Sequence, residues 1–296
     1  MDDTAVQGPI LENADIAARL QEYAALLEHQ GDDAFRVRAF QEAADHVGAL
    51  PVALRDIFAR EGVAGLIAQP KIGRGIAAAI AEMLTLGRWS QLDRLRGDAA
   101  PAQLFMTLPG IGTILARRLA DDEDIETLEE LEIALQPGGR PIPGIGRRRR
   151  QLILSQVNER LGRIRTARRG LGPVTPPPVS LLLDADRIYR AKAAAGQLRL
   201  IAPKRFNPEV KAWLPVMHAR RDDWHLTLMW SNTACAHELG KTQDWLVVYF
   251  RKDGQPEGSC TIVTETRGPL AGQRVVRGRE AECEALLVSP TGRAQG

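Results

Sequence analysis

Lysine is nearly absent from this chain. Six lysines stand against 33 arginines in 296 residues, and Lys71 is the only one before position 192. A guanidinium stays protonated, so the first two thirds of the chain can bind anions through arginine but hold almost no amine able to act as a nucleophile. Cysteine is scarce too: Cys235, Cys260 and Cys283 are an odd number with no CxxC spacing, which argues against a disulfide framework and fits a reduced compartment. Long hydrophobic runs are missing, and no stretch approaches the roughly 18 apolar residues of a membrane span. The acidic start Met1-Asp2-Asp3 speaks against a signal peptide. The expectation is a cytoplasmic protein with no membrane partner, nucleoid-associated in a prokaryotic cell.

What is present is a turn repeated three times: Pro70-Lys71-Ile72-Gly73, Pro109-Gly110-Ile111-Gly112 and Pro143-Gly144-Ile145-Gly146, each leading into a helix-forming, arginine-bearing segment. Glycines around one apolar residue let the backbone turn at positive φ, while the apolar residue plugs between two helices. The open amides at the start of the second helix then face outward at its positive end, where a phosphate can approach without a side chain in the way. Candidate DNA contacts are Lys71, Gly73, Arg74 and Gly75 at the first hairpin, and Gly110, Gly112, Thr113 and Arg117 at the second. At the third they are Gly144, Gly146, Arg147, Arg148, Arg149 and Arg150.

The formal net charge of +2 hides a segregated distribution. Residues 140–205 carry 16 Lys/Arg against 3 Asp/Glu. A local field of this kind is the footprint of a phosphate-binding surface. The alternative is a basic, solvated linker, but the four arginines 147–150 follow directly on a hairpin.

Helical periodicity runs through residues 12–30 (Ile16, Leu20, Tyr23, Leu26, Leu27) and 34–47 (Phe35, Val37, Phe40, Val47), and each hairpin is followed by a helix, the last through Leu152, Val157 and Leu161. Residues 1–166 therefore read as an all-α domain with three hairpins, and the Pro/Gly-rich stretch 167–178 as a linker. Beyond it, 179–290 reads as a smaller α+β domain with an antiparallel sheet. It holds a helix over 179–195, a hairpin of strands 213–219 and 224–230, further strands at 245–251 and 259–266, and a helix at 280–287.

Residues 12–160 resemble the N-terminal region of X-family DNA polymerases, the group that includes DNA polymerase beta. The likeness rests on Phe35-Arg36-Val37-Arg38-Ala39-Phe40 with Ala43-Ala44, the hairpin at 70–73, Thr85-Leu86-Gly87-Arg88, and the hairpin at 109–112 with Ala116-Arg117-Arg118. It implies a helical lyase domain joined to a DNA-binding subdomain, acting on gapped, nicked or branched DNA in repair or replication. It also implies a Na⁺ or K⁺ ion held by backbone carbonyls, here those of Ile67, Gln69 and Ile72, and of Met106, Leu108 and Ile111. The lysine that forms the Schiff base in that family aligns with Ala79 and its supporting lysine with Gly75, so family-type lyase activity is not expected. Lys71 could reach an abasic aldehyde but reads better as a phosphate contact. A glycine-serine turn before an Asp-x-Asp pair is also missing, which argues against polymerase activity.

In the second domain Asp184-Ala185-Asp186 has helical rather than strand periodicity, so it reads as solvated aspartates rather than a metal pair. His218, His225, Cys235 and His237 could gather around zinc, although their spacing follows no common pattern. His237, Glu238, Asp244, Glu265 and Glu280 could form a nuclease-like set. Trp213, Trp224, Trp230 and Trp245 with Arg205, Arg220, Arg221 and Arg251 fit either sheet packing or a stacking platform for unpaired bases. The reading is a DNA-binding protein that is not a polymerase. The alternatives are a structure-specific nuclease or lyase with its site in the second domain, or a repair scaffold that docks a protein partner there.

Overall fold

A computed structural model describes residues 12–98, 101–123, 125–137, 141–167, 174–252, 255 and 257–288. The acidic start, linker residues 168–173 and the Asp253-Gly254 turn that closes the third expected strand lie outside them.

Two amphipathic helices, α1 (Asn13–His29) and α2 (Ala34–Ala49), pack as a hairpin, with Asp33 capping α2 by accepting from the Phe35 amide at 3.0 Å. α3 (Leu54–Ile67) is interrupted at Gly62, and α4 (Arg74–Leu86) ends on Gly87 at φ +70°. α5 (Ser90–Leu95) completes this unit. Ile16, Leu20, Tyr23, Phe40 and Trp89 fill its centre. Phe35, expected on the apolar stripe of α2, is instead 76% exposed, because it lies beside the N-cap and points away from α1.

A second helical unit has its own core. α6 (Pro101–Met106) leads through the second hairpin to α7 (Thr113–Arg117), which widens into one π-helical turn (Arg118–Asp122). α8 (Leu128–Leu135) starts on a reciprocal cap between Thr127 and Glu130, and the third hairpin leads to α9 (Arg147–Ala167). Phe105, Ile111, Leu119, Leu131, Val157 and Leu161 pack between these helices. Leu152 is 52% exposed and Ile153, one position on, takes the core place expected for it.

After Pro178 come α10 (Val179–Ala194), β1 (Arg199–Ile201), β2 (Leu214–Arg221), β3 (Trp224–Trp230), α11 (Ala234–Glu238), β4 (Leu246–Lys252), β5 (Gly258–Thr264), β6 (Arg274–Val276) and α12 (Glu280–Val288). The six strands form one antiparallel sheet in sequence order. β1 and β6 add to the strands expected from sequence; at three residues each they are too short to show a period-2 pattern.

The sheet lies between two helical layers. On one face the Tyr189 hydroxyl of α10 donates to the Pro215 carbonyl at 2.8 Å and accepts from the Trp230 amide at 3.1 Å. On the other, the Arg94 guanidinium lies 3.3 Å from the centre of the Tyr249 ring and His218 meets Gln30. Helices α1–α5 thus share one apolar core with the sheet, whereas α6–α9 enclose a separate one.

Two expectations change as a result. Trp224 and Trp230 are 7% and 9% exposed, with Trp213 and Trp245 packed against the same core, so the sheet presents no open stacking platform. Asp186 is not solvated: it is 2% exposed and paired with Arg274 at 2.7 Å, and the same guanidinium also binds Asp244 and the Thr264 hydroxyl.

Candidate nucleic-acid interface

The three hairpins adopt one local conformation. In each, the apolar residue donates its amide three residues back: Ile72 to Gln69 at 3.3 Å, Ile111 to Leu108 at 3.1 Å and Ile145 to Ile142 at 3.0 Å. Each isoleucine is under 10% exposed, so the plug expected from sequence forms in all three. Lys71, Gly110 and Gly144 occupy equivalent places at φ +63°, +85° and +86°. Lys71 is therefore a strained residue where its counterparts are glycine, and its ammonium pairs with Glu42 at 3.0 Å.

The second glycine of each turn behaves differently from expectation. Gly73 and Gly112 have φ −72° and −87°, torsions open to any residue, so positive φ does not explain them. Both serve as N-caps without a side-chain cap, and a Cβ at Gly73, Gly112 or Gly146 would meet nothing within 4 Å. Unsubstituted glycine here keeps first-turn amides approachable.

Hairpins two and three are tied to one another. The Arg149 guanidinium donates to the Gly110 carbonyl at 2.7 and 3.1 Å and to the Gly144 carbonyl at 3.1 Å. Arg118 donates to the Pro143 carbonyl at 2.9 Å. Arg150 donates to the Gln136 carbonyl at 3.2 Å, joining α9 to the end of α8. The run 147–150 therefore divides: Arg149 and Arg150 brace the unit, while Arg147 and Arg148 point to solvent together with Thr113 and Arg117.

The first hairpin sits apart, in the unit docked on the sheet. Arg74 is exposed, but Gly75 lies under the guanidinium of Arg251 on β4, whose Nη1 is 1.7 Å from where a Gly75 Cβ would stand. Gly75 is thus a point of contact between helix and sheet, a role invisible in local sequence. Gly75 and Ala79 line a cavity of about 520 Å³ between α4, α5, the sheet and the start of α8. Ala79 is 4% exposed. Of the carbonyls assigned to a monovalent cation, those of Gln69 and Leu108 already accept the hairpin amide, each keeping a second lone pair, while Ile67, Ile72, Met106 and Ile111 belong to the same helix ends and turns.

The candidate metal and nuclease residues of the second domain do not converge. His218 bonds Gln30 at 2.8 Å and Thr227 at 3.1 Å, and burial lowers its pKa to about 4. His237 bonds Asn232 at 2.7 Å, and burial lowers its pKa. Glu265 pairs with Arg277 at 2.7 Å and Asp244 with Arg274 at 2.9 Å. No group of three or more potential ligands is assembled among the described residues. Arg205, read as part of the tryptophan cluster, instead binds Asp121 at 3.0 Å and Glu126 at 2.5 Å, pinning the second helical unit to the loop before β2.

Residues 11–89 match the family model of the helix-hairpin-helix domain. Domains of this kind generally bind DNA. Among curated proteins none matches the chain.

Proposed function

We propose that this protein grips the DNA phosphate backbone without regard to base sequence, with hairpins two and three as the principal clamp and the first hairpin as an additional contact. The observation that carries this reading is the Arg149 tie between Gly110 and Gly144, which holds two glycine-capped helix starts at a fixed spacing beside the exposed Arg147 and Arg148. Each helix start supplies unpaired amides and a positive dipole end, and each free arginine supplies a charge that displaces counterions. A Na⁺ or K⁺ ion on the hairpin carbonyls would add positive charge beside a bound phosphate.

The resemblance to X-family polymerases favours gapped, nicked or branched DNA and a role in repair or replication in the cytoplasm. Neither polymerase nor family-type lyase activity is proposed, because Ala79 stands where the amine would be and is covered. Fluorescence anisotropy against duplexes in a salt series is the test. Affinity should fall steeply, with a log-log slope of about 0.9 per phosphate contacted. A flat salt dependence, or more than about tenfold preference for one sequence over its scrambled versions, refutes the reading.

A further inference from the structure

We propose that the groove beside α10, on the sheet face away from α1–α5, binds single-stranded DNA. The groove encloses about 1020 Å³ between α10, α12 and the first strands of the sheet. That is the upper end of the roughly 300–1,000 Å³ of small-ligand pockets.

Its chemistry selects the occupant. Trp213 and Trp230 contribute aromatic surface, Leu200, 51% exposed, an apolar wall, and Gln243 and Gln273 side-chain amides. Its two carboxylates are already neutralised within the protein, Asp184 by Arg187 at 2.5 Å and Asp186 by Arg274 at 2.7 Å. Arg190, one turn along α10 from Arg187, lines the groove and is exposed. The groove therefore combines aromatic surface, amide donors and acceptors, and one cation, Arg190, that no lining carboxylate cancels. A duplex keeps its bases stacked and could use only the charge. Unpaired nucleotides use all three features: stacking on an indole, hydrogen bonds to base edges, and phosphate contacts. In place of the open platform expected from sequence, the groove offers one half-buried indole, Trp213, across from the Arg190 guanidinium's helix.

The test uses the full chain carrying Arg147→Glu and Arg148→Glu to disable the duplex clamp, with an oligo(dT) containing 5-iodouracil. Residual binding should persist with a log-log salt slope near −0.7, since one phosphate contact on a single strand, at Arg190, contributes about 0.7. Irradiation should cross-link the oligonucleotide to peptides spanning 187–200 or containing Trp213. Arg190→Glu should weaken oligo(dT) binding about tenfold and leave duplex affinity of the otherwise wild-type chain unchanged. Trp213→Leu should weaken it similarly while Trp213→Phe retains it. The proposal is overturned by cross-links confined to the hairpins, by unaltered oligo(dT) binding in folded Arg190→Glu protein, or by competition from poly(Glu) as strong as from oligo(dT), which would make the groove an acidic-peptide site.

Discussion

Replacing Arg149 by methionine separates bracing from phosphate contact within one run of arginines. The side chain keeps an unbranched apolar stem, ends about where Nε stood, and loses three N–H donors to the carbonyls of Gly110 and Gly144. A typical intramolecular hydrogen bond is worth roughly 0.5–1.5 kcal/mol net. Arg149 is exposed, so water replaces much of each bond, and two of the three share one acceptor. The low end applies, for a loss of about 1–2 kcal/mol. Urea unfolding should show a lower midpoint with unchanged slope, because the surface exposed on unfolding is the same. DNA affinity should fall as the two hairpins lose their fixed spacing, yet the salt slope should stay the same, since no phosphate contact is removed. Arg147→Met should do the reverse: unchanged stability, and a salt slope reduced by about 0.9. If Arg149→Met lowers the slope by about one while the urea midpoint holds, Arg149 contacts phosphate directly and the bracing assignment is wrong.

Gly110→Val should destabilise by about 1–2 kcal/mol, because a branched Cβ is strained at φ +85°, whereas Gly112→Val should stay folded by circular dichroism and lose DNA affinity by obstructing the open helix start. Gly75→Ala should lower the melting temperature, since the new methyl collides with Arg251, and Arg251→Ala should relieve that added loss in a double-mutant cycle. Arg205→Met should cost about 1–3 kcal/mol in urea unfolding, discounted from a fully buried pair because Asp121 and Glu126 are 38% and 32% exposed. His218 has its pKa lowered by burial to about 4, so between pH 6.5 and 4 the unfolded chain binds a proton that the native state refuses. Stability should fall across that window as pH drops, by at most roughly 3 kcal/mol, and then level; His218→Gln should remove this part of the pH dependence, and an identical pH profile in the variant contradicts the assignment.

The hairpins, the helices around them and the α+β character of the C-terminal part are legible in the sequence because each is decided locally. A Pro-x-Ile-Gly turn fixes its torsions and its apolar plug within a few residues, and the stripes of α1, α2 and α10 repeat at helical period. Scarce lysine and abundant arginine likewise point to anion binding without amine chemistry before any fold is known. Tertiary structure decides everything that depends on a distant partner. Arg147 and Arg149 look identical in sequence, yet one faces water and the other binds a carbonyl 39 residues away. Gly75 reads as a helix start until β4 lays Arg251 over it, and Asp186 reads as solvated until Arg274 arrives from 88 residues along the chain. Sheet burial is settled in the same way: β3 is buried along almost its whole length, and only the docking of α1–α5 opposite α10 supplies the second cover.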